Sequence, residues 1–335
     1  MHLSFFDEYT FPSFSTPSSY TSNYYEVVLK YENGFTKFQR KGGCEMDGIG
    51  LVLEGGGMRG IYTAGVLDYF LEQNIEIPYV IGVSAGACMG SSYISKQHGR
   101  NKRVNTEFLQ HPDYISIKNL IRNKQLFGMD LLFDIIPNEL DPFDFDSFYG
   151  ANQKFVVGTT NCITGEPTYF EKDEIVDSKD MLNIIRASSS LPLMAPIVEY
   201  QNHILLDGGI ADPIPLLKSE EDGNNKNIVV LTRNAGYRKK PSRGNWYLQR
   251  KYRDYPGLIQ AVIKRYEVYN KQLEYIEEQE KAGNILVIRP LQKLKVGRVE
   301  RNKDRLLELY KEGYEDAKRL GEQVLEFLSY EKTTC

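Results

Sequence analysis

Residues Ile49–Lys96 read IGLVLEGGGMRGIYTAGVLDYFLEQNIEIPYVIGVSAGACMGSSYISK. Ile49–Leu53 is a short apolar run that ends in Gly55-Gly56-Gly57. After it, Ile61, Ala64, Val66, Leu67, Phe70 and Leu71 recur at helical spacing. Tyr79–Val83 is a second buried-strand pattern, and Ala85–Lys96 follows as a helix. Strand, helix, strand and helix in so short a stretch predict an α/β fold, with a mainly parallel sheet and helices on both faces.

Working outward, Phe155–Thr160, Ile204–Leu206, Ile228–Thr232 and Ile285–Ile288 read as further strands. Two long helices close the chain. Leu258, Val262, Tyr266, Tyr269, Leu273 and Ile276 form one apolar stripe, with Gly283 as a stop signal. Leu306, Tyr310, Ala317, Leu320, Val324 and Phe327 form the other. Both stripes read as core-facing. Leu126–Pro137 (LFGMDLLFDIIP) reads first as a buried core helix, and second as an acyl-pocket wall or lid.

Residues 1–45 differ. Met1–Asn23 is rich in Ser, Thr, Phe and Tyr without helical period. Two alternating runs then flank Asn33-Gly34, a type I′ hairpin signal. This segment reads as a hairpin or a poorly ordered leader, or as lying upstream of a true start at Met46. The expected organisation is the leader at 1–45, a catalytic core at 46–220, and C-terminal strands and helices at 221–335.

Composition narrows the function. A net charge of -4 gives no broad basic surface for nucleic acid. The four cysteines are scattered, with no CxxC pair, so neither a zinc site nor a disulfide framework is expected, and no metal or cofactor is assigned. A reducing, cytoplasmic compartment fits, with peripheral contact at a membrane surface compatible with it. No apolar run approaches the roughly 20 residues of a membrane span.

Gly55-Gly56-Gly57-Met58-Arg59-Gly60 satisfies G-x-G-x-x-G between a strand and a helix. A dinucleotide site also needs an acid at the end of the second strand, and there Val83 runs into Ser84 instead. A non-catalytic nucleotide-binding protein is therefore the weaker alternative. The same turn can aim backbone N–H groups at a developing oxyanion if a nucleophile lies opposite. Gly82-Val83-Ser84-Ala85-Gly86 supplies one: a G-x-S-x-G elbow between strand and helix, with Ser84 as nucleophile. A tight turn with a capping serine is the bland reading.

The base is less plain. Of four histidines, His2 lies in the leader, His98 near a helix end and His111 in a polar stretch; only His203 is credible. Asp207, in Leu205-Leu206-Asp207-Gly208-Gly209, closes an apolar strand and is the better candidate, although an Asp-Gly-Gly turn needs no chemistry.

Taken together, EGGGMRG (54–60), GVSAG (82–86), ASSSLPLMAP (187–196) and DGG (207–209) resemble the patatin-like phospholipases in order and context over residues 48–220. The resemblance implies a Ser84–Asp207 dyad without histidine. It also implies an oxyanion hole from the loop Gly55, Gly56, Gly57, Met58, Arg59 and Gly60, with backbone N–H groups around Gly56 and Gly57 as donors and Arg59 as the loop's basic residue. The third motif often reads DGA in the family; Gly209 is a variant. A hydrolase acting on carboxylic esters of lipids is thus expected, with a lipid or other acyl-ester substrate. Acyl transfer by the same dyad is the alternative.

Overall fold

The computed structural model describes residues 48–175, 177–241 and 245–329, with two short strands before them. The chain divides into two compact units, Met1–Glu45 and Met46–Cys335. In the first, β1 (Lys30–Glu32) pairs antiparallel with β2 (Phe35–Lys37). The expected turn at Asn33-Gly34 and the stretch Met1–Asn23 lie outside the described residues.

The second unit carries β3 (Ile49–Leu53), β4 (Tyr79–Val83), β5 (Lys154–Asn161), β6 (Pro167–Glu171), β7 (Val198–Tyr200), β8 (His203–Asp207), β9 (Lys226–Val230) and β10 (Ile285–Ile288). Its helices are α1 (Ile61–Glu72), α2 (Ala85–Ile94), α3 (Arg100–Thr106), α4 (Ile117–Asn123), α5 (Phe145–Gly150), α6 (Ser178–Ser188), α7 (Leu216–Glu221), α8 (Asn245–Lys251), α9 (Pro256–Ala282), α10 (Lys303–Arg319) and α11 (Gly321–Ser329). One sheet holds the order β10-β9-β3-β4-β5-β8-β7, with β6 also on β5. Neighbours from β10 to β5 are parallel; β6, β8 and β7 join antiparallel.

Both faces of the parallel part are apolar, as near-continuous Val/Ile/Leu runs require. Along β3, Leu51 and Leu53 pack with α1, α2 and α10, while Val52 points to the other face with the α9 residues Tyr269, Leu273 and Ile276. Val80, Phe155, Val157 and Val230 join the first face; Ile81, Val156 and Val229 join the second. Each such side chain removed from water stabilises the fold by about 1.5–3 kcal/mol. The expected helices on both faces are therefore present. Among the described residues no helix is long and apolar enough to cross a membrane.

Three expectations need correction. The strands β6 and β7 were not read: PTYFE opens on a proline, and VEY has only three residues. The last apolar stripe belongs to two helices, because the helical path breaks at Leu320; it looks continuous since Ala317 and Val324 bury on either side of the break. Leu126–Pro137 is not simply a core helix. Leu131–Leu140 is a wide π-helix with Pro137 inside it, and Phe127, Leu132, Phe133 and Pro137 face a cavity.

Candidate active site

The register of β5 decides where the site forms. Along one edge of β5, β4 pairs with Lys154–Gly158 and β8 with Thr159–Asn161. The opposite edge is taken by β6. Hence β4 and β8 meet head-on, C-terminus to C-terminus. Val83 lies opposite Gly158 and Asp207 opposite Thr159, so the residue after β4, Ser84, arrives beside Asp207. The carboxylate does come from a strand end, but from a strand antiparallel to the one that delivers the serine.

Ser84 sits in a sharp turn with φ 54 and ψ -125, a conformation unfavourable for a side chain other than glycine. Close packing holds it there. A Cβ on Gly86 would come within 2.3 Å of the Leu53 carbonyl oxygen, so the start of α2 can press on β3 only with glycine. Ser188, at the end of α6 and completely buried, is a second anchor. The Ser84 N–H donates to Ser188 Oγ at 2.8 Å, and that hydroxyl donates to the Gly158 carbonyl at 2.6 Å. Two residues on, the Ser190 carbonyl accepts from the Asp207 N–H at 2.9 Å. The ASSSLP segment thus ties the two converging ends together.

Asp207 is 1% exposed and Ser84 7%. The Gly209 N–H donates to Asp207 Oδ1 at 2.9 Å, and Thr160 Oγ1 donates to the Asp207 carbonyl at 2.8 Å. Burial pushes the carboxyl above the ordinary range; the Arg265 charge and hydrogen bonding from Ser84 pull partly the other way. Asp207 Oδ2 has no partner of strict hydrogen-bond geometry, which leaves it as the atom able to take a proton.

The Gly-rich turn lies against this pair: a Cβ on Gly55 would be 3.1 Å from the Ser84 Cβ. Its amides are not equivalent. Met58 N–H donates to the Arg298 carbonyl at 3.0 Å, and Arg59 N–H to the Gly56 carbonyl at 3.4 Å. Those two amides already donate within the protein, whereas among the described residues no such bond engages the amides of Gly56 and Gly57. Gly60 packs on Ala85 and lines neither cavity. Gly55, Gly56 and Gly57 share one chamber with Ser84 and Asp207. Glu54 braces the turn, accepting from the Tyr269 hydroxyl at 2.7 Å and from the Thr232 N–H at 2.6 Å.

Ser84, Gly57 and Leu191 stand where two unlike cavities meet. One, of about 140 Å³, is walled by Val104, Phe127, Leu132, Phe133, Phe143 and Ile185. The other, of about 20 Å³, is polar and carries Arg59, Arg233, Lys239, Arg265 and Arg298. Of these only Arg59 was singled out from the sequence. Arg265 had a signal: it falls at helical spacing between Val262 and Tyr269, a charge inside an apolar stripe. Arg298, in an irregular segment, had none.

The histidines stand elsewhere. His203 opens β8 and meets the edge of Phe170, four residues before Asp207; His98 pairs with Glu72 at 2.9 Å; His111 accepts from the Asp113 N–H. None of these three lines either cavity. Among the described residues no cluster of three or more His, Cys, Asp or Glu converges on a metal position.

The sequence model for "Patatin-like phospholipase" matches residues 51–218, half of the chain. The chain belongs to the patatin-like phospholipase family. A domain of unknown function matches residues 255–329. The uncharacterized protein YjjU of Escherichia coli is 30% identical over 189 residues, 55% of this chain and 52% of YjjU. Lysophospholipase NTE1 of Scheffersomyces stipitis is 24% identical over 295 residues, 80% of this chain but 18% of that protein. This patatin-like chain therefore spans about half or less of the relatives it matches. The structure of VipD from Legionella pneumophila covers 82% of this chain and 66% of VipD at 12% identity, with a TM-score of 0.40, too loose to bear on the site.

Proposed function

We propose that the protein is a serine acyl hydrolase acting on carboxylic esters of lipids, with Ser84 as nucleophile and Asp207 as base. The observation that carries this reading is the strained Ser84 beside a buried carboxylate with an unpartnered oxygen, at the mouth of an apolar cavity. The family membership supports lipid chemistry, and the relatives named lysophospholipase support an ester of that kind.

In this mechanism the acyl chain lies in the apolar cavity and its carbonyl carbon faces Ser84 Oγ. Asp207 Oδ2 takes the hydroxyl proton as Oγ attacks. The carbonyl oxygen becomes an oxyanion facing the Gly55–Gly57 amides, where one well-placed donor typically gives about 10²–10³ in rate. Asp207 returns the proton to the departing alkoxide, leaving an acyl-serine and an alcohol. Water then attacks the acyl-serine, Asp207 again receiving and returning the proton, and the free acid leaves.

The test is labelling of wild type, Ser84→Ala and Asp207→Asn with a fluorophosphonate probe, alongside hydrolysis of long-chain p-nitrophenyl esters. Labelling and hydrolysis should vanish in Ser84→Ala and fall sharply in Asp207→Asn. Folded wild-type protein that neither labels nor hydrolyses sinks the reading. Product analysis with alcohols present separates hydrolysis from acyl transfer by the same acyl-serine.

A further inference from the structure

The polar chamber beyond Ser84 has a charge excess that ester hydrolysis alone does not require. Five cations reach it from separate parts of the chain: Arg59 after β3, Arg233 and Lys239 after β9, Arg265 on α9 and Arg298 before α10. The chamber has two carboxylates, Glu54 and Asp207. Both oxygens of Glu54 already accept, from the Tyr269 hydroxyl and the Thr232 N–H. Among the described residues none of the five cations forms an ion pair.

Further observations point into the same space. Arg59 is 3% exposed, and its Nη1 is buried without any hydrogen-bond partner. The cations also depress one another. Burial, then neighbouring arginines, lowers Lys239 to about 7, and Arg265 falls to about 10 for the same reasons. Like charges held together out of water are stabilised by a bound anion. Arg265 is admitted by Gly209: a Cβ there would sit 3.2 Å from Arg265 Nη2 and 3.0 Å from Asp207 Oδ1. The second glycine of the DGG motif and the α9 arginine therefore fit as a pair.

We propose that this chamber binds a terminal phosphate (a phosphomonoester dianion) on the alcohol side of the scissile ester, selecting acyl esters of a phosphorylated alcohol. The proposal rests on the acyl-hydrolase reading. Size argues against the other occupant, since a chamber of about 20 Å³ has no room for a second acyl chain. Charge selects the dianion, because a choline or ethanolamine head would bring its own cation among guanidiniums. Arginine suits phosphate through its forked donors. Arg233, Lys239, Arg265 and Arg298 all lie beyond residues 51–218, so the part of the chain outside the family match supplies this specificity.

The experiment has a binding arm and a turnover arm, both on the full chain. In the first, Ser84→Ala is titrated with glycerol 3-phosphate, inorganic phosphate and glycerol by calorimetry; this arm needs no catalysis. Glycerol 3-phosphate should bind, glycerol should not, and Arg298→Gln or Arg233→Gln in the same background should weaken binding about tenfold, with Arg298→Lys recovering part. In the second arm, wild type is offered oleoyl-lysophosphatidate, oleoyl-lysophosphatidylcholine and monooleoylglycerol. The lysophosphatidate should lead in kcat/KM by about tenfold or more, chiefly through KM. Absence of phosphate binding, or equal turnover of all three lipids, overturns the proposal. Binding of inorganic phosphate as tight as glycerol 3-phosphate, with no lysophosphatidate preference, marks a free-phosphate site and overturns the head-group assignment. Failure of the hydrolase reading is separately visible as an unlabelled Ser84 in wild type.

Discussion

Replacing Ser188 with alanine isolates what holds Ser84, the proposed nucleophile, in place. Ser188 touches neither cavity, yet its hydroxyl joins the Ser84 N–H at 2.8 Å to the Gly158 carbonyl at 2.6 Å in a fully buried position. Its loss leaves a buried N–H without a partner, at about 1–3 kcal/mol, and takes one donor from the Gly158 carbonyl. A total of roughly 2–3 kcal/mol corresponds to a fall in Tm of about 5 °C for a unit of this size. Chemistry suffers more than stability. The φ of 54 at Ser84 is held by its surroundings, and once the N–H is free the turn relaxes. Displacement of the oxygen by about 1 Å costs on the order of 10²-fold in rate. The assay pairs thermal melts with the rate of fluorophosphonate labelling. Both should fall, labelling by far the larger factor. Unchanged labelling with a lowered Tm would refute the positioning role and leave Ser188 as a packing residue.

Other outcomes follow from the same geometry. Because Asp207, as the proposed base, must be ionised to accept a proton and burial raises its pKa, the rate should climb with pH through a value above the ordinary 3.8; Arg265→Gln, removing a charge that lowers it, should move that limb upward, and an unmoved limb contradicts the coupling. The same carboxyl has a folded pKa above its unfolded one, so its contribution to stability is present at low pH and lost as pH rises through the folded value. Asp207→Asn should therefore melt higher than wild type at pH 8, converge with it in acid, and be inactive; a lower Tm at pH 8 would count against this. Lys239, facing Arg265, Arg298, Arg59, Glu54 and Tyr269, is charged only below about 7. Inhibition by sulfate, whose own charge is constant, should strengthen as pH falls through that value and lose the dependence in Lys239→Gln. Filling the apolar cavity with Leu132→Trp should depress hydrolysis of long-chain p-nitrophenyl esters about tenfold or more relative to the acetate; equal losses would place the acyl chain elsewhere.

The α/β core was legible because β3, β4, β5 and β9 are buried on both faces and so announce themselves as apolar runs. Ser84 could be singled out because it stands at a strand-to-helix turn, and Asp207 only because its DGG motif follows the others in the order of the family it resembles. The direction of β8 was not, since five residues carry no mark of which way they run. The cationic chamber was also hidden. Its members come from positions 59, 233, 239, 265 and 298, which share no period or spacing; only the fold gathers them. Besides Arg59 in the Gly-rich turn, only Arg265 left a trace, as a charge within the α9 stripe. Leu126–Pro137 misled for a related reason: the lining of an apolar cavity has the composition of a core.

The head-on meeting of β4 and β8 makes slippage a particular hazard. A shift of β8 by two residues would keep every side chain on its accustomed face, so hydrophobic burial would hardly object. It would nonetheless carry Asp207 about 6–7 Å away and yield a compact, well-buried and inert protein. What discriminates against that trap is polar and local: Thr160 Oγ1 on the Asp207 carbonyl, and the Asp207 N–H on the Ser190 carbonyl. On the proposed mechanism, reactivity of Ser84 is accordingly a finer gauge of correct folding than compactness or helix content, because it distinguishes the true alignment from its near-degenerate neighbour.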